Sequence, residues 1–134
     1  MRKAANFISA LAIVGLANAP LAAQSFAAGS VPVQLEASEG LDPCSLGQIN
    51  DPSVDGAIIV FAGPSTDMDS VDFLAHGDKV WICQESDDFY GIVYAPAGSD
   101  IVCEVSSPVD FTINYSGPCN TGWVKAEWVE VLAG

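Results

Sequence analysis

The run TGWVKAEWVEVL, Thr121 to Leu132, decides how the chain is read. Two stretches dominated by Trp and Val, 121–124 and 128–132, have the β-branched and aromatic character of strands. Between them Lys125-Ala126-Glu127 has room for a single 3₁₀ turn. The same short-strand grammar extends upstream. AIIVFAG (57–63) is an apolar run stopped by Gly63-Pro64, and KVWIC (79–83) and FYGIVYA (89–95) flank a hairpin turn at Asp87-Asp88. IVCEV (101–105) is a candidate short strand. In GIVY, Ile92 and Tyr94 share one face and Gly91 and Val93 the other, so Gly91 allows a neighbouring strand or side chain to approach closely. Gly122 leaves space beside the Trp123 indole. PSTDMDSVDFLAHGD reads as a polar loop with an apolar island at Val71, Phe73 and Leu74. After the first residues no helical stripe of 3.6-residue period occurs. The expected fold class is therefore all-β, a small barrel or sandwich.

The N-terminus has a different character. Arg2 and Lys3 precede an uncharged run from Ala4 to Ala19, then Pro20 and small residues. This is the layout of a secretory signal peptide, assigned to residues 1–27 with cleavage before Ala28 and, as the alternative, after Ala23. Asn6, Ser9 and Gly15 dilute the run below what a membrane anchor requires. Cleavage removes two cations and no acid, so the formal charge falls from −13 to −15. Lys79 and Lys125 then stand against seventeen carboxylates. Nucleic acid and anionic membrane surfaces are excluded as partners, because binding a polyanion needs cations to displace its counterions. The acidity suits solubility, or an acidic face for a cationic partner or Ca²⁺.

All four cysteines, Cys44, Cys83, Cys103 and Cys119, follow the signal segment. An even count in an exported chain implies two disulfides. Three pairings are possible. Cys103–Cys119 with Cys44–Cys83 is favoured, the first closing a local excursion and the second tying the N-terminal segment to the body. Spacings of 39, 20 and 16 and a single histidine, His76, do not suit a metal centre.

Taken in order, these pieces resemble the bacterial SH3-like (SH3b) domain family over about residues 57–132. The resemblance rests on the strand into Gly63-Pro64-Ser65-Thr66, the Gly77-Asp78 turn, the aromatic-led strand at Phe89, the Thr121-Gly122-Trp123-Val124 strand and the closing 3₁₀ turn. Two features depart from it. Phe61 and Ala62 stand where the family usually has an Arg, and residues 100–120 form an insertion holding its own cysteine pair. The resemblance implies a barrel of five to six short strands over 57–134, closed by the disulfide-stapled insertion 100–120, with 28–56 as an extended N-terminal segment. It is similar to exported, cysteine-containing single-domain proteins of that type.

Catalysis finds little support. A Ser-His-Asp arrangement needs a histidine beside its nucleophile, and His76 precedes a turn glycine. No two of the seventeen acids are marked as a glycosidase pair. Asp67, Asp69 and Asp78 fall at positions 1, 3 and 12 of a calcium-loop window, but Val71 and Asp72 occupy the ligand and glycine positions. Asn114-Tyr115-Ser116 is a formal glycosylation sequon, read as chance because the resemblance is bacterial. Neither metal nor cofactor is assigned, and the chain is not expected to be an enzyme. SH3-like barrels bind through aromatic-lined grooves, which makes Phe89, Tyr90, Tyr94, Tyr115 and Trp123 the candidate ligand-binding residues. Trp81, Val124 and Val129 are expected in the core, and Trp128 is expected to pack. The expected role is a periplasmic or secreted binding module for peptidoglycan or an envelope peptide. The alternative is an inhibitor or structural envelope protein that contacts a protein partner through the Cys103–Cys119 loop.

Overall fold

The computed structural model describes residues 29–51, 53 and 56–134, so the expected signal peptide lies outside the described residues. The chain order is β1 (Gln34–Leu35), β2 (Ser45–Ile49), β3 (Ala57–Phe61), β4 (Ser70–Ala75), β5 (Lys79–Ser86), β6 (Phe89–Tyr94), β7 (Ile113–Asn114), β8 (Asn120–Lys125), a 3₁₀ turn (Ala126–Trp128) and β9 (Val129–Ala133). The fold is all-β. Seven strands form one antiparallel sheet in the order β4-β3-β8-β6-β5-β2-β9, and β1 pairs with β7 in a separate two-stranded sheet.

The hairpin of β5 and β6 turns on Asp87-Asp88, with Ser86 opposite Phe89 and Asp87 at φ 51°. A two-residue connection with positive φ matches the twist of the flanking strands. Cys83 is the extra residue between Ile82 and Gln84, a β-bulge that turns Gln84 toward Gly91. Gly77, at φ 94°, occupies a turn conformation that a side chain resists.

Alternation along the central strands feeds two cores, one on each face. Ile58, Val60, Leu74, Val80, Ile82, Ile92, Tyr94 and Val124 bury one face together with Ile49. Residues from both edges of the sheet, Leu74 of β4 and Val129 of β9, join this cluster, so the sheet is strongly curled. The opposite face buries Phe61, Cys83, Phe89, Val93 and Trp123. Val33, Leu35 and Cys44 from the N-terminal segment and Cys103 and Val105 from the excursion cover that face. Phe61 and Phe89 meet edge to face at 5.9 Å, a geometry suited to the ring quadrupole. Both disulfides, Cys44–Cys83 and Cys103–Cys119, have cysteines in this second core.

Four expectations are corrected here. The barrel is not closed: β4 and β9 are the edges of the sheet, with no ladder between them. At β4 the amides of Phe73 and Ala75 are already bonded to the carboxylates of Asp72 and Asp78 at 2.8 Å, so these two donors are not free for a closing strand. Residues 28–56 are not merely an extended lead-in, because β2 lies inside the sheet between β5 and β9. Its Gly47 is packed so closely by Ile82 and Val129 that a Cβ there would stand 2.8 Å and 2.9 Å from them. The acidic loop contains strand β4, an edge strand whose Asp72 and Leu74 point inward and whose Val71 and Phe73 are exposed. Finally, 101–105 is not a strand, and Glu104 sits at φ 63°, which breaks an extended ladder.

Candidate functional site

The five candidate aromatics do not form a surface. Trp123 is 2 % exposed, and its indole N–H donates to the Val31 carbonyl at 2.9 Å. Gly91 provides the space for the ring, whereas Gly122 faces Val60 on the other side of β8. Phe89 and Tyr94 are also buried. The Tyr94 hydroxyl donates to Asp72 at 2.8 Å; burial first, then that hydrogen bond and the carboxylate charge, raise its pKa well above the usual tyrosine range. Trp123, Phe89 and Tyr94, expected as ligand-binding residues, are thus placed in the core and not on an accessible surface. A large ring beside a glycine-bearing strand gains more by filling the two-faced sheet than by lying in water. Tyr90 is half-buried and packs against the inner core. Tyr115 is half-buried, and its hydroxyl donates to the Cys103 carbonyl at 2.8 Å while accepting from the Cys119 amide at 3.1 Å. It braces the disulfide from within. Of the expected core residues Val124 is buried, while Trp81 and Val129 are half-buried against the two clusters.

What the structure does place on the surface is the stapled excursion. Ile101, Val102, Phe111 and Ile113 are exposed, Val102 at 76 % and Phe111 at 68 %. The segment that carries them is anchored at several points. Val105, 1 % exposed, plugs the second core, and β7 pairs with β1 through Gln34–Asn114 and Leu35–Ile113. The Tyr115 amide donates to the Val33 carbonyl at 2.8 Å, and the Ala37 amide donates to the Thr112 hydroxyl at 3.2 Å. Gln34 adds a side-chain bond to Asn114 at 3.1 Å, and its amide donates to Gln84 at 2.7 Å. A shallow groove of about 280 Å³ runs between Ala37–Gly40 and Pro108–Asp110. Exposed apolar side chains on a braced backbone lose little entropy on binding.

Sequence reasoning named the Cys103–Cys119 loop but not its exposed apolar residues. The signal was present in the apolar pair Ile101-Val102 beside Cys103 and in Phe111 and Ile113, each set between polar neighbours. Among the described residues no group of three or more His, Cys, Asp and Glu side chains is placed to hold a metal. His76 is exposed in the turn between β4 and β5. Among the described residues no helix is long and apolar enough to cross a membrane. The two disulfides accord with an oxidising compartment. The chain matches no family model, no curated protein and no solved structure.

Proposed function

We propose that this chain is an exported, non-catalytic binding protein of SH3-like type that works in the periplasm or outside the cell. It contacts a protein partner through the Cys103–Cys119 excursion. One observation carries this reading: apolar side chains at 101, 102, 111 and 113 stand in solvent on a segment held by a disulfide, a core plug and a strand pair. Exposed apolar groups on a rigid frame are the usual material of a contact surface. A glycan or peptide groove would need accessible rings, and three of the five candidate aromatics are buried. The excess of acids favours a partner with a basic rim around its apolar centre. The export signal and the paired cysteines support the location.

The reading is tested by placing a photo-crosslinking amino acid at position 102, 111 or 76 in the exported protein in its source cells. A discrete protein adduct from 102 and 111, absent from 76, is the expected result, and the adduct from 111 is expected to be lost in a Val102→Asp background. Adducts of equal yield from all three positions, or none, overturn it. Co-sedimentation with purified peptidoglycan that Val102→Asp leaves intact would assign the protein to the cell wall instead.

A further inference from the structure

The two edges of the seven-stranded sheet are treated differently. At β4 two amides are occupied: Asp72 Oδ1 accepts from Phe73 and Asp78 Oδ2 from Ala75. Edge strands protected in this way resist the addition of another strand. On β9 the Val129 amide donates to the Ala126 carbonyl, but no such bond covers Val131. The Asn50 amide donates to the Trp128 carbonyl at 2.8 Å, so Ile49 and Val129 form a non-hydrogen-bonded pair. Alternation then directs the backbone N–H and C=O of Val131 away from β2. Among the described residues no side chain is bonded to them. Two apolar side chains of this edge are exposed, Val131 at 53 % and Leu132 at 43 %. Beside the end of β9, Leu41, Leu46, Trp81 and Ala133 line a groove of about 610 Å³, large enough to receive side chains from an added strand.

We infer that β9 is a strand-addition site for an extended, basic peptide segment of another protein. Main-chain hydrogen bonds to Val131 would set its register, and Val131, Leu132 and the Leu41 groove would take its apolar side chains. Charge selects the occupant. The edge carries Glu130, with Glu127 just before it, and the whole chain bears −13. Lys125 offsets only part of this, lying 3.9 Å from Glu127 and 5.2 Å from the centre of the Trp128 ring. A second copy of so acidic a chain is repelled, whereas a Lys-rich strand is drawn in. No residue of the excursion at 100–120 lines the groove.

The probe is a labelled peptide alternating Lys with Val and Thr, compared with the same peptide carrying Glu for Lys. Fluorescence anisotropy is expected to show binding of the Lys peptide only, weakening as salt rises. Hydrogen exchange should slow at the Val131 amide and not at Phe73. Val131→Pro removes the outward donor without removing a bond to β2, and is expected to weaken binding by roughly tenfold or more. Glu130→Lys, which leaves the backbone untouched, should weaken it several-fold and covers the case in which the proline variant fails to fold. Equal binding of the Glu peptide, protection at Phe73 instead of Val131, or unchanged affinity in Glu130→Lys would overturn the assignment. So would sedimentation showing that β9 is occupied by a second copy.

Discussion

Gly91 and Trp123 face each other across β6 and β8, and the indole fills the space that a side chain at 91 would need. A Cβ at 91 would stand 3.0 Å from the ring Cη2 and 3.1 Å from Cζ3. The ring in turn reaches Val31 through its N–H. One cross-strand pair thus decides that this tryptophan is structural, and it ties the N-terminal segment to the sheet.

Trp123→Ala is accordingly expected to cost about 3–5 kcal/mol of stability, read from urea or guanidinium unfolding. Trp123→Phe keeps much of the burial but leaves the Val31 carbonyl without its donor, which costs about 1–3 kcal/mol. Partner crosslinking at 102 and 111 should persist in the phenylalanine variant wherever it remains folded. A tryptophan variant with native stability would contradict the packing described.

Tyr94 sets the alkaline limit. Burial and the Asp72 carboxylate hold its hydroxyl neutral in the folded chain, while the unfolded chain ionises near the ordinary value of about 10. The stabilisation is therefore complete below that pH and is lost as pH rises above it, because the unfolded state releases its proton first. Unfolding free energy measured through the alkaline range should fall more steeply in the wild type than in Tyr94→Phe. Parallel slopes would remove Tyr94 from this role.

The two disulfides are expected to act on different scales. Replacing Cys44 and Cys83 by serine opens a 39-residue separation and should cost roughly 4 kcal/mol; the Cys103 and Cys119 pair, separated by 16, should cost roughly 3 kcal/mol. Loss of the second pair should raise hydrogen exchange mainly across 101–119, since the sheet does not depend on that bond for its ladders. Global melting with uniform exchange would show instead that the excursion and the sheet fold as one unit.

Much of the sheet was legible along the chain because its signals are local. The turn at Asp87-Asp88, the alternation of Gly91–Tyr94 and the brief turn expected at Lys125–Glu127 and found at Ala126–Trp128 each depend on a few adjacent residues. Strand β2 was hidden because Leu46-Gly47-Gln48 carries no strong pattern and gains its place only by pairing with β5 and β9. Strand β4 was masked by aspartates that cap amides and receive the Tyr94 hydroxyl. The candidate site was less legible. An aromatic has the same identity in a groove as in a core, and only the register opposite Gly91 tells the two apart for Trp123.

Composition and periodicity by themselves determined an all-β chain and a strongly acidic one, because charge, alternation and turn chemistry are properties of neighbours in sequence; of three possible cysteine pairings they favoured the one the structure holds. The tertiary structure decided which rings are buried, that the sheet stays open, and that Val102, Phe111 and the edge of β9 face water. Those outcomes depend on long-range pairing and on two layers competing for the same apolar side chains, which no local stretch encodes.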